Sequence, residues 1–141
     1  MSKSVNISIT GAAGRIGYAL VFRLANGDLF GEDIKVNLKL LEVPSAMKTL
    51  HGIQMELDDC NFSTLGDVVI TDDPEVAFGD AEYVFMMGAK PRLKGMERSD
   101  LLQDNAKIFA SHGRILGKVA SKDVKVLIAG NPSNTNTLVA L

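Results

Sequence analysis

The sequence predicts an α/β fold, a doubly wound parallel sheet of about five strands forming one domain over residues 1–141. Three observations carry that expectation. Short β-type runs alternate with helical patterns along the chain. Most of the strands are rich in apolar residues, as strands covered on both faces by helices must be. A glycine-spaced turn lies directly between the first strand and the first helix.

The first strand is Val5 to Thr10, a period-2 run that stops at Gly11. From Arg15 to Asn26 the apolar residues Ile16, Ala19, Leu20, Val21, Phe22 and Leu24 surround most of a helix, which is therefore expected to be buried on more than one side. Asn26-Gly27 is its expected stop, because both residues tolerate the left-handed conformation. A second strand, Val36 to Val43, ends at Pro44. Met47, Leu50, Ile53 and Leu57 then mark a helix reaching Cys60.

Val68 to Thr71 is the third strand, and Asp73-Pro74 supplies an N-cap followed by a proline at the first helical position. Tyr83 to Met87 is the fourth. Gly88 to Arg98, with a proline, two glycines and four basic residues, reads as a mobile surface loop. Ser99 is expected to cap a long helix ending near Ala120. Val124 to Ala129 is the fifth strand, and a last helix is expected to start near Asn134 after the turn Gly130-Asn131-Pro132. Strand-helix-strand units of this kind wind right-handedly into a parallel sheet.

Composition excludes several classes of function. Apolar residues make up 46% and charged residues 23% of the chain, a globular balance. The net charge of −2, with basic residues dispersed, gives no footprint for nucleic acid or an anionic membrane, and neither is expected as a partner. Apolar stretches such as Tyr83 to Ala89 fall far short of the roughly 20 residues of a membrane helix. No export signal is visible. The single cysteine, Cys60, has no partner for an internal disulfide, and no Cys/His pairs stand at metal-ligand spacing, so no metal is expected. A reducing, cytoplasmic location is the expectation.

The turn Gly11, Ala12, Ala13, Gly14, Arg15, Ile16 and Gly17 is the candidate pyrophosphate site of a Rossmann-type dinucleotide domain. Its first glycine permits a tight turn, a small residue admits the phosphates, the last glycine allows close packing, and the helix N-terminus offers free N–H groups. The spacing is GxxGxxG, not the commoner GxGxxG, so placement between strand and helix carries the assignment; a plain loop is the alternative. Glu42, at the end of the second strand and 25 residues beyond Gly17, suits hydrogen bonding to ribose hydroxyls. Its charge disfavours a 2′-phosphate, which points to NAD over NADP. A solvated strand-end carboxylate is the other reading.

Gly88 opens the segment after the fourth strand, at the sheet edge where such folds bind ligands. Arg92 and Arg98 on that loop suit a small dicarboxylate, since guanidinium groups pair bidentately with carboxylates at any relevant pH. A solvated basic loop fits the same residues. In the long helix, Leu101, Ile108, Phe109, Ile115, Leu116 and Val119 form one stripe that also contains Asn105 and His112. Polar residues there need partners, supplied either by core contacts or by a cofactor. His51 reads as solvated or interfacial, and Asp58-Asp59 and Asp72-Asp73 as capping and solvated pairs. Asn131, ahead of Pro132, can orient a substrate carbonyl or hydroxyl, or simply form a turn.

The segments TGAAGRIG (Thr10 to Gly17), LLEV (Leu40 to Val43), GAKPRLKGMERSDLL (Gly88 to Leu102) and GNPSNTN (Gly130 to Asn136) together resemble malate dehydrogenase of the cytosolic type. The resemblance implies that Arg92 binds the distal carboxylate of oxaloacetate or malate and that Arg98 helps polarise the reacting carbonyl. It implies NAD contacts at Asn105, His112, Ala129, Gly130 and Asn131, the last also touching substrate. His112 departs from the glutamine often found there, and Glu42 from the more usual aspartate.

The resemblance further implies a second domain carrying an Asp-His proton relay and a third arginine, none of which falls within residues 1–141. No catalytic acid–base residue is therefore expected in this chain, which should bind NAD without turnover and associate with further copies. An extended short-chain dehydrogenase or epimerase shares the glycine turn, but its Tyr-x-x-x-Lys pair is not found here. A non-catalytic NAD-binding module is a reading from another class.

Overall fold

The computed structural model describes residues 3–141. In chain order the elements are β1 (Lys3–Thr10), α1 (Arg15–Ala25), β2 (Ile34–Leu41), α2 (Met47–Cys60), β3 (Leu65–Thr71), α3 (Pro74–Phe78), β4 (Tyr83–Met86), α4 (Arg98–Val119), β5 (Lys125–Ile128) and α5 (Ser133–Ala140). A short 3-10 turn, Pro44–Ala46, leads into α2.

All four strand pairings are parallel, in the order β3-β2-β1-β4-β5. This is the doubly wound sheet that the alternation of elements predicts. Its chain order reverses between β1 and β4, and Thr10, Leu41 and Met86 share one register line at their carboxyl ends. Connections from β1 run one way along the sheet and those into β4 run the other, so a crevice opens between the two loops.

Alternation within each strand assigns the two layers. Val5, Ile7 and Ile9 of β1 and Val36, Leu38 and Leu40 of β2 bury one face against Val21 and Leu24 of α1 and Leu50, Ile53 and Leu57 of α2. Val84 and Met86 of β4 bury the other face against Phe78, Phe109 and Leu116 of α3 and α4. A fully buried Leu or Phe contributes about 1.5–3 kcal/mol, so these two clusters are what hold the strand ends in place.

Several boundaries differ from expectation. The first helix buries one face only, through Gly17, Val21, Leu24 and Ala25, and leaves Ile16 66% and Tyr18 42% exposed. It stops as expected, with Gly27 in the left-handed region at φ +84°.

The third strand begins three residues early, at Leu65. The side chain of Asn37 explains it: Asn37 Oδ1 accepts the Asp67 N–H at 3.0 Å, bridging a register irregularity between β2 and β3. The fourth helix is not capped by Ser99; it begins at Arg98 with Glu97 as N-cap and no side-chain cap bond. The Asp73 cap is present, its Oδ1 accepting the Glu75 N–H at 2.9 Å. No helix among the described residues is long and apolar enough to cross a membrane.

Candidate functional site

A cleft of about 640 Å³ lies at the carboxyl edge of the sheet, over the point where strand order reverses. One wall is the first turn, with Thr10, Gly11 and Gly14. A second is the end of β2, from Leu41 to Pro44, with Asp72 and Pro74 beyond it. The third is Met87 to Pro91, with Ile108 and His112 of α4 behind.

The first turn is shaped by contacts that only glycine permits. Gly11 has φ +65°, and a Cβ there would lie 2.5 Å from Gly88 Cα. A Cβ on Gly17 would overlap the Gly11 carbonyl and approach Ala12 Cα at 2.9 Å, so the last glycine admits the turn's own backbone, not the strand. Gly14 differs: it lines the cleft, with φ −73°, and its Cβ would meet only Gly11 O at 3.2 Å.

The turn's backbone N–H groups are mostly committed. Gly11 N and Ala12 N donate to Leu41 O at 3.0 and 3.5 Å, and Gly14 N donates to Gly11 O at 3.0 Å. Ala13 N donates to Glu42 Oε1 at 3.0 Å. By contrast the N–H groups of Arg15, Ile16 and Gly17 have no acceptor among the described residues, as the first turn of a helix requires. Three free donors at the positive end of a helix dipole, opening beside a cleft whose rim residue lacks a side chain, fit the pyrophosphate of a dinucleotide. Glu42 and Asp72 place two carboxylates in the cleft wall where β2 and β3 end, a poor setting for an additional phosphate.

Three loops meet at this edge. Gly88 N donates to Thr10 O at 3.1 Å and to Thr10 Oγ1 at 3.2 Å, tying the loop after β4 to the first turn. Gly130 is buried, and a Cβ on it would lie 2.9 Å from Ala89 Cβ. Ala129 N and Gly130 N both donate to Met86 O, and the buried Asn136 Nδ2 donates to Gly130 O at 3.0 Å. Asn131 is exposed and does not line the main cleft.

Both polar residues of the α4 stripe face inward, to different ends. His112 lines the cleft with its ring set edge-on to Phe78 at 5.3 Å, and burial, which disfavours the charged ring, lowers its pKa from the usual 6.5. Burial alone sets that shift, with no carboxylate among its causes. Asn105 is fully buried behind the cleft wall: its Oδ1 accepts Lys90 N at 2.8 Å and its Nδ2 donates to Lys90 O at 3.3 Å. Of its two open readings, the structure shows the internal partner. Lys90 Nζ adds a 2.7 Å ion pair to Asp104, which lowers the Asp104 pKa.

The loop expected to be mobile is therefore pinned at its base and open at its tip. Arg92 and Arg98 line a separate depression with Gly95, Met96 and Glu97, where Arg92 Nε donates to Met96 O at 3.2 Å. The structure does not bring them into the main cleft. Sequence reasoning missed Thr10, Asp72, Lys90 and Asn136. A polar residue at a strand end was a usable signal for Thr10 and for Asp72, which lines the cleft while its neighbour Asp73 does the capping. Nothing local marked Lys90 or Asn136, whose roles depend on tertiary contacts.

The family model for the lactate/malate dehydrogenase NAD binding domain matches residues 5–141. The chain belongs to the lactate/malate dehydrogenase family, as its NAD-binding domain. A crystal structure of malate dehydrogenase from Naegleria fowleri is similar at 47% identity and a TM-score of 0.96, covering 99% of this chain and 43% of that one.

An apo structure of a variant lactate dehydrogenase from Trichomonas vaginalis matches at 45% identity and TM-score 0.95, over 99% of this chain and 41% of that one. The Trichomonas vaginalis lactate dehydrogenase in complex with NADH and oxamate matches at 45% identity and TM-score 0.90, over 96% and 41%. The chain thus spans less than half the length of these dehydrogenases. Its cofactor is NAD.

Proposed function

We propose that this chain is the nucleotide-binding half of a cytoplasmic malate dehydrogenase, which interconverts malate and oxaloacetate. Bound NAD supplies the hydride acceptor. The protein's own part here is to hold the pyrophosphate on the Arg15 to Gly17 amides, to receive the adenosine ribose at Glu42, and to carry the substrate-recognising arginines. The observation that carries the reading is the origin of the arginine loop: it leaves β4 at Gly88, which is hydrogen-bonded to Thr10 at the nucleotide turn, so the loop that carries the arginines starts at the edge that receives the cofactor. Arg92 is the residue that selects a distal carboxylate, and Arg98 acts on the reacting carbonyl.

The competing reading within the family is a lactate dehydrogenase, favoured by the nearly equal similarity to the Trichomonas vaginalis enzyme. Substrate selectivity separates them. In the intact enzyme, Arg92→Gln should lower kcat/KM for oxaloacetate by at least about a hundredfold, the loss of a charge-assisted bidentate pair, and change pyruvate far less. Equal losses on both substrates would make Arg92 structural, and a wild-type preference for pyruvate would favour the lactate reading.

A further inference from the structure

We propose that Glu42 is a positioning residue for the phosphate turn, acting on the cofactor through the turn's backbone in addition to contacting the ribose. The proposal rests on the NAD-binding reading of the cleft and deepens it.

Three consecutive amides of the turn are held by the end of β2. Gly11 N and Ala12 N donate to the Leu41 carbonyl, and Ala13 N to Glu42 Oε1 at 3.0 Å. The Leu41 acceptor is backbone and is present whatever the side chain. Glu42 is the one member of the bracket that depends on side-chain identity. Its other oxygen, Oε2, accepts Val43 N at 3.1 Å, so the carboxylate is held at both ends and its direction is set.

The second observation concerns the helix the turn feeds. The N-cap of α1 is Gly14, which has no side chain to bond the first-turn amides, and no side-chain cap bond is present. A serine or aspartate at that position would fix the helix entry locally. Here the last side-chain hydrogen bond before the free amides of Arg15, Ile16 and Gly17 is the Ala13–Glu42 bond; the bond that follows it, Gly14 N to Gly11 O, lies within the turn's own backbone. A carboxylate just past the end of the neighbouring strand thus fixes the chain ahead of the N-cap and leaves the first-turn amides free for the phosphates. Ionised acceptors make the stronger class of hydrogen bond. Each oxygen also keeps lone-pair capacity for a ribose hydroxyl, so both duties are compatible.

The two duties separate in a cycle that crosses the protein change with a ligand change. NADH and its 2′,3′-dideoxyadenosine analogue are titrated into wild type and into Glu42→Ala, with thermal unfolding as the check on folding. The proposal expects Glu42→Ala to weaken the dideoxy analogue by about tenfold, because the lost bond reaches the phosphates and needs neither ribose hydroxyl. An unchanged affinity for the dideoxy analogue would overturn it and leave Glu42 as a ribose contact only.

Glu42→Gln keeps the length and one neutral acceptor, and serves if the alanine variant does not fold. A same-direction loss of a few-fold for the dideoxy analogue, with faster hydrogen exchange at the Ala13 amide, is expected; wild-type values for both would overturn the proposal. Failure of the underlying reading shows separately, as the absence of saturable NADH binding to wild type.

Discussion

At Gly14 an added side chain meets little but the cleft itself, because φ is −73° and only Gly11 O lies within 4 Å of a Cβ. Gly11, at φ +65° against Gly88, and Gly17, against the turn, have no such room. Gly14→Leu should therefore abolish measurable NADH binding while costing about 1 kcal/mol of stability, the usual size of a changed N-cap, whereas Gly11→Leu should not fold. Calorimetric titration beside thermal unfolding checks both, and a folded Gly14→Leu variant with undiminished affinity would count against the phosphate assignment. The spacing of these glycines is legible in the sequence; which of them is open to the ligand is not, because it depends on how the loop after β4 packs against Gly11.

Strands and helices were read from periodicity, and they failed where side chains far apart in sequence take over backbone duties. Gly66 and Asp67 have poor strand character, yet β3 includes them because Asn37 reaches across to bridge the irregular register. Asn105 was visible as a polar residue in the apolar stripe of α4, but its partner is the Lys90 backbone, which no local pattern announces.

That contact makes a prediction for the arginine loop. Replacing Asn105 with leucine leaves two part-buried backbone groups of Lys90 without that partner, a loss of about 1 kcal/mol for each hydrogen bond. The base of the loop should then open, seen as faster tryptic cleavage at Arg92, Lys94 and Arg98 than elsewhere in the chain. Cleavage at wild-type rates would show that Asn105 does not anchor the loop. Arg92 and Arg98 are both exposed, an arrangement the solvated-loop reading describes as well as the substrate-binding one.

For the whole molecule, the five strands and their two helical layers followed from the alternation of elements, but the degree of cover did not. β5 lies at the sheet edge with Val126 41% and Leu127 52% exposed, and α2 shows Met55 63% exposed. An unpaired strand edge beside exposed apolar residues favours pairing with another chain. The chain is accordingly expected to self-associate as its concentration rises, and light scattering showing a monodisperse monomer across that range would refute this.

The crevice was legible because strand order and loop placement are topological; the arginine depression was not, since it forms within one loop. The two carboxylates in the cleft wall, Glu42 and Asp72, suit the site to NAD over NADP. Parallel fluorescence titrations of the purified chain with NADH and NADPH test this most directly. Saturable NADH binding at one site is expected, with NADPH at least about tenfold weaker because the carboxylates of Glu42 and Asp72 line the cleft and repel an added phosphate; equal affinity for the two, or no saturable NADH binding, would overturn the assignment.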